Sequence, residues 1–302
     1  MSRDDVVYAA PGARELCLDI YAATGSVDHR TAVVAVHGGG WRVGDRKMLR
    51  SRCQALADRG FTVLSAEYRL LDEAPWPAQL HDVRAAIGWT RDQAADLGVD
   101  ADRIVVQGHS AGAHLALMAA AATGPALDLD AEALRTPIAA VVAYYPTVEL
   151  VSGRPMPDMS AGPTPESLAA LRSEDGTGPA AMLLGDSAGA QDAAAASPIT
   201  YAAPGHPATI LLHGTADRLV APAASERLHH KLLAADVASE LHLFSGAHHE
   251  FDATPSLTET CSALVTDFLA RVVLEPAAFA DEVRQTNPMA AMFMSDESDG
   301  AL

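Results

Sequence analysis

Gly108-His109-Ser110-Ala111-Gly112 sets a serine between two glycines, directly after the apolar run Ile104-Val105-Val106 and directly before the helix-like run from Ala113 to Met118. A serine at a sharp strand-to-helix turn needs neighbours almost free of side chain, and its hydroxyl then stands at the positive end of a helix dipole as a nucleophile. A hydroxyl attacks poorly until a histidine, held by a carboxylate, takes its proton. Both partners occur downstream. The strand-like stretch Pro207 to Leu212 runs into His213-Gly214-Thr215-Ala216-Asp217, which places Asp217 in a loop behind a buried strand. Glu240 to Phe244 alternates like a last strand and leads into Ser245-Gly246-Ala247-His248-His249-Glu250-Phe251, so two adjacent histidines compete for the role of base. Asp186 rivals Asp217, but it lies in a Gly/Ser/Ala-rich stretch with no strand in front of it.

Attack on a carbonyl puts negative charge on its oxygen, and preorganised N–H groups must meet that charge. His37-Gly38-Gly39-Gly40-Trp41 follows the strand-like run Ala32 to Val36, and its glycines can turn amides toward a bound oxygen without side chains in the way. The expected oxyanion hole is the N–H of Gly38 and Gly39 with that of Ala111 behind the serine.

Taken together these motifs resemble the α/β-hydrolases of the hormone-sensitive-lipase and feruloyl-esterase-like carboxylesterase group. The order Ser110, Asp217, His249 is the α/β-hydrolase order. Glu67-Tyr68-Arg69-Leu70 with Pro77, Asp82 and Trp89, and later Ser197-Pro198-Ile199-Thr200-Tyr201, extend the similarity to roughly residues 14–272. In that group one small residue and then Phe follow the base. His249-Glu250-Phe251 is therefore the better match, with His248 in the place of a glycine. The resemblance implies a serine carboxylesterase that cleaves small-molecule esters of small to medium acyl groups through an acyl-enzyme. One departure is His109, which stands where bacterial hormone-sensitive-lipase relatives carry Asp and is more like feruloyl-esterase-like and kynurenine-formamidase-like members. An arylformamidase-like amide hydrolase is the alternative substrate reading. A non-catalytic binding protein on the same fold is the alternative of another class, although such relatives usually lack a triad member and this chain has a candidate for each.

The elements that must position these residues alternate. Strands are expected near 14–21, 31–36, 61–68, 104–107, 138–145, 207–213 and 239–244, and helices near 47–59, 78–96, 111–123, 222–236 and 256–272. That alternation predicts an α/β fold with a mostly parallel, doubly wound sheet and helices on both faces. Leu80, Val83, Ala86 and Ile87 recur at helical spacing. Asp82 lies between oxyanion loop and nucleophile, the wrong chain position for the catalytic acid, and reads as a carboxylate that ties loops together. Residues 1–274 read as one hydrolase domain, in which 147–206 form a lid or cap insertion whose Met156, Met159, Leu168 and Leu171 give it an apolar underside. Trp41, Tyr68 and His109 are the candidates for contact with substrate, with Tyr144-Tyr145-Pro146 ending another strand on the same edge.

The 302 residues carry a formal charge of -18, which repels nucleic acid and anionic membrane surfaces. No apolar run of about 20 residues is present to span a bilayer. Cys17, Cys53 and Cys261 lie far apart without metal spacing, so neither a zinc site nor a disulfide framework is expected, and no cofactor is implied. A cytoplasmic protein is the expectation. Residues 275–302 form an extension outside the resemblance, with the apolar patch Pro288 to Met294 before an acidic end expected to be disordered. Docking of that patch on a second subunit, a homodimer, is one reading of it.

Overall fold

Strands buried on both faces are mainly apolar, as Ala32–Val36 and the run Ile104-Val105-Val106 are. Every residue of Ala32–Val36 and of Ile104–His109 is buried. The computed structural model describes residues 2–25, 27–127, 138–157 and 164–293. Its strands are β1 (Arg3–Ala9), β2 (Leu16–Tyr21), β3 (Ala32–Val36), β4 (Thr62–Ala66), β5 (Ile104–His109), β6 (Ala140–Tyr144), β7 (Leu150–Val151), β8 (Gly178–Pro179), β9 (Ala208–Gly214) and β10 (Ser239–Phe244). Eight of them form one sheet in the order β1-β2-β4-β3-β5-β6-β9-β10, while β7 and β8 pair by themselves. Only the β1–β2 and β2–β4 pairs are antiparallel. From β4 to β10 the strands run parallel, with Val36 beside Gly108 and His109 beside Tyr144. Their C-terminal ends therefore share one edge, where open α/β sheets bind ligands.

The helices are α1 (Arg50–Ala57), α2 (Ala78–Asp92), α3 (Ala94–Leu97), α4 (Ala111–Ala121), α5 (Pro165–Leu171), α6 (Ala181–Leu184), α7 (Ala190–Ala195), α8 (Ala223–Ala234), α9 (Pro255–Leu269), α10 (Pro276–Thr286) and α11 (Pro288–Phe293). Alternate strand residues feed the two layers. Val34, Val36 and Val106 pack with α2, α4 and α8, whereas Val33, Ala35 and Val105 pack with α1 and α9. The expected mostly parallel α/β sheet, covered on both faces, is thus the observed one. The edge strand β1 was not expected, because Arg3-Asp4-Asp5 gives it little apolar alternation.

Asp82, on α2, accepts hydrogen bonds from the Arg69 backbone N–H at 2.9 Å, from its Nε at 2.8 Å and from its Nη2 at 2.6 Å. It therefore fastens the segment after β4 to the helix. Residues 147–206 contribute β7, β8 and α5 to α7 above the C-terminal edge. Arg154 braces this region by donating to the carbonyls of Thr177, Leu171 and Arg172. Met159 lies outside the described residues, and Leu171 is buried. In the C-terminal extension, α10 buries no residue, and the Arg271 guanidinium sits 5.7 Å over the Phe279 ring. The acidic stretch Ser295 to Gly300 lies outside the described residues. Among the described residues no helix is long and apolar enough to cross a membrane.

Removing one partner of a desolvated ion pair strands the other. Asp82→Ala is expected to lose about 2 kcal/mol, because Arg69 stays partly solvated, and so to lower the thermal midpoint of a chain of this length by about 3 °C. Scanning calorimetry reads this directly, and an unmoved midpoint would show that the pair does not brace the fold.

Candidate active site

Ser110 links β5 to α4 with φ 53° and ψ −117°, a left-handed conformation that costs about 1–3 kcal/mol in a side-chain-bearing residue. Packing enforces it. A Cβ on Gly112 would run into the carbonyl oxygens of Val36 and His37, so only glycine lets α4 approach β3 this closely. The Ser110 N–H donates to the Tyr144 carbonyl at 2.9 Å, which ties the turn to the end of β6.

The loops after β9 and β10 bring two residues to the Ser110 hydroxyl. His249 Nε2 is 3.0 Å from Ser110 Oγ, and His249 Nδ1 is 2.6 Å from Asp217 Oδ2. With Nδ1–H donating to the carboxylate, Nε2 is left to accept the serine proton. His248 points elsewhere, is exposed, and lies 3.0 Å from the Ala216 carbonyl through Nδ1. Asp186 is exposed in the loop after α6.

Asp217 is 2% exposed, and its other oxygen accepts the N–H groups of Leu219 at 2.8 Å and Val220 at 3.0 Å. Burial pushes its pKa up, but hydrogen bonds from His213 and His249 and the charge of His249 outweigh burial and hold the carboxyl well below the usual range. His213 was not singled out as a site residue from the sequence. Its Nε2 faces the Val220 carbonyl at 3.0 Å and Asp217 Oδ2 at 3.3 Å, while Nδ1 lies 2.8 Å from Ser225 Oγ. Two acceptors at Nε2 require the proton there, so His213 is a second donor to the acid. Its place at the end of β9, immediately before the acid's loop, was the only signal.

Gly38 and Gly39 lie beside the nucleophile. A Cβ on Gly38 would stand 2.9 Å from the His109 carbonyl oxygen and 3.3 Å from Ser110 Cβ. Gly39 has φ 109° and its carbonyl closes a turn by accepting the N–H groups of Arg42 and Val43 at 3.1 Å. Ala111 heads α4, in the turn whose amides have no intrahelical acceptor. Gly38 and Gly39 thus lie in a loop outside helix and strand, and Ala111 is the first residue of α4.

A cavity of about 390 Å³ opens over Ser110 and His249. The oxyanion loop with Trp41, the 147–206 region with Leu150, Leu171 and Met182, and Leu219 after the acid line it with mainly apolar surface. Of the three residues expected to touch substrate, only Trp41 is among these. Tyr68 is fully buried, stacks on His37 at 4.4 Å and donates to the His37 carbonyl at 3.2 Å, so it braces the oxyanion loop from behind. His109 points to the opposite side of the sheet, stacked on Tyr144 at 4.4 Å with Nδ1 3.0 Å from Asp252. Alternation along β5 explains this, because the residue before the elbow must face away from the cavity that Ser110 faces. Met182 and Leu219 went unnoticed in the sequence, where they lie in stretches without periodicity. Among the described residues no group of three His, Cys, Asp or Glu side chains is placed to hold a metal ion.

Known proteins resemble this chain in sequence and in fold. The BD-FAE family model matches residues 18–232. Esterase LipQ of Mycobacterium tuberculosis is 33% identical over 271 residues, which span 88% of this chain and 61% of LipQ. Carboxylesterase NlhH of the same species is 35% identical over 122 residues, 40% of this chain and 36% of NlhH. The chain thus matches less than two thirds of the length of either relative. Among solved structures, the thermophilic esterase Est2 of Thermogutta terrifontis superposes with a TM-score of 0.71 at 25% identity, covering 90% of this chain and 93% of Est2. Est2 has been solved with propionate bound and with butyrate bound, and Thermogutta terrifontis esterase 2 phosphorylated by paraoxon. With its family match over most of the sequence and its parallel sheet carrying Ser110 at the elbow, the chain belongs to the BD-FAE family of the α/β-hydrolase superfamily.

Proposed function

We propose that this protein is a serine hydrolase of small-molecule carboxylic esters. The observation that carries the reading is the continuous bonding of Ser110, His249 and Asp217, at 3.0 and 2.6 Å, opening on an apolar cavity. Ser110 Oγ attacks the ester carbonyl while His249 Nε2 takes its proton, and Asp217 steadies the imidazolium that forms. The amides of Gly38, Gly39 and Ala111 hold the oxyanion. His249 then gives the proton to the departing alkoxide, and a water activated by the same imidazole cleaves the acyl-enzyme. The apolar walls suit an uncharged acyl chain of small to medium size, and Est2, with propionate and butyrate bound, supports that range. Cys17, Cys53 and Cys261 are all unpaired, which supports a reducing, cytoplasmic setting.

Ser110→Ala is expected to lower kcat/KM for p-nitrophenyl butyrate by about 10⁴-fold or more, and Asp217→Asn by about 10⁴-fold. Paraoxon should inactivate the wild type stoichiometrically and leave a diethylphosphoryl adduct on the Ser110 peptide, seen by mass spectrometry. A folded Ser110→Ala protein with wild-type turnover would overturn the reading. Turnover of N-formylkynurenine without ester turnover would replace it with a formamidase.

Met182 closes the cavity against the oxyanion loop, with its Cε 2.7 Å from where a Cβ on Gly40 would stand. Met182→Ala is expected to raise kcat/KM for longer acyl chains relative to butyrate by about tenfold, the effect of a methylene or two in an apolar pocket. A series of p-nitrophenyl esters reads this ratio, and an unchanged chain-length profile would mean that the acyl group lies elsewhere.

A further inference from the structure

His249 must stand within bonding distance of Ser110 and Asp217 at once, yet it rides on a loop. Residues 245–254 are held on one side of His249 by the Ala216 N–H, which donates to the Ala247 carbonyl at 2.9 Å. The other side is held by a second buried carboxylate, which the reaction as written does not use. Asp252 is 1% exposed. Its Oδ2 accepts Arg52 Nε–H at 2.7 Å and faces His109 Nδ1 at 3.0 Å, and its Oδ1 accepts the Tyr145 hydroxyl at 2.6 Å. Thr258 Oγ1 donates to the Asp252 carbonyl at 2.7 Å.

Two of the partners come from the site itself. His109 immediately precedes the nucleophile, and Tyr145 follows the carbonyl that accepts the Ser110 N–H. The Tyr145 ring also packs on the imidazole of His249 at 4.5 Å, and Tyr145 holds the strained value φ 40°. Arg52 comes from α1, which packs beside α9 on the same face of the sheet. His109 Nε2 is 3.3 Å from the Gln107 amide nitrogen, a donor, so the imidazole accepts there and presents its proton to Asp252 at Nδ1. Burial favours that neutral form of His109, while the same burial acts against the Asp252 carboxylate and is outweighed by His109, Arg52 and Tyr145.

We propose that Asp252 is a positioning residue for hydrolysis: it locks the His249 loop to the strand ends that carry Ser110 and Tyr145, so that the base is held to its two partners before substrate arrives. The proposal rests on His249 acting as the base. It also gives His109 a task in place of substrate contact, as the nucleophile strand's grip on the base loop. A misplacement of about 1 Å in such a constellation lowers rates about 10²-fold.

The test compares wild type with Asp252→Asn, Arg52→Ala and Arg52→Lys, using p-nitrophenyl butyrate turnover and the bimolecular rate of paraoxon phosphorylation, with His249→Ala as control. In folded Asp252→Asn, kcat and the paraoxon rate are expected to fall together by about 10- to 100-fold with KM within about twofold. Arg52→Ala should fall about tenfold, and Arg52→Lys should recover most of that loss by restoring the cation. Folded Asp252→Asn with kcat and paraoxon rate within twofold of wild type, while His249→Ala is inactive, would overturn the proposal alone. An active His249→Ala would overturn the assignment of the base and the proposal with it. Where Asp252→Asn does not fold, the Arg52 pair decides, and equal rates for Ala, Lys and wild type would overturn it. A loss confined to KM would assign Asp252 to the pocket's shape and would also overturn it.

Discussion

The conformation of Ser110 is the constraint on which the site depends. A backbone at φ 53° is unfavourable for serine and persists only because the surroundings over-determine it. They do so through contact. The carbonyls of Val36 and His37 occupy the space where a side chain on residue 112 would go, and the Ser110 amide is bonded to β6. Helix α4 is apolar on almost every face, with ten of its eleven residues buried, so it cannot relax away from the sheet without exposing the core. The strain is thereby transferred to the packing of the whole central layer. Its result is a hydroxyl that projects above the sheet edge at the head of a helix.

Electrostatics around the hydroxyl are arranged by two buried carboxylates with different duties. Asp217 is bonded to the His249 imidazole, and it is itself held by His213 and two backbone amides. Those bonds keep it ionised despite burial, which is what a partner for a developing imidazolium must be. Asp252 is shared among three elements and bears on the reaction through the loop it anchors.

Above the hydroxyl, the apolar cavity comes from chain segments that have little to do with the sheet. Leu150, Leu171 and Met182 belong to the region inserted between β6 and β9, and Arg154 and Arg172 staple that region to backbone carbonyls, including that of Asp217. Arg42 of the oxyanion loop donates to the Met182 carbonyl at 3.1 Å. The cavity wall at Met182 is thus fastened to the loop that begins at His37. A change in one is felt by the other.

By itself the sequence determined the central elements and the candidates for their chemistry. Apolar runs of strand length, helical spacing over 78–96 and glycines flanking one serine are local signals, and each found its place in the sheet or in the helices packed on it. The order Ser110, Asp217, His249 was legible because parallel strands deliver their loops to one edge in a fixed sequence. The choice between His248 and His249 rested on a pattern, and geometry shows which ring reaches Ser110 at 3.0 Å. What only the tertiary structure decided are the relations between residues far apart in the chain. His213 on Asp217, Arg52 and Tyr145 on Asp252, and Met182 against Gly40 leave no periodic trace, since each depends on where a loop ends rather than on how it repeats. Tyr68 and His109 show the same limit from the other side. Their strand ends point to the ligand edge, but which face each side chain takes is fixed by the pleat and the packing, and both turn away from the cavity.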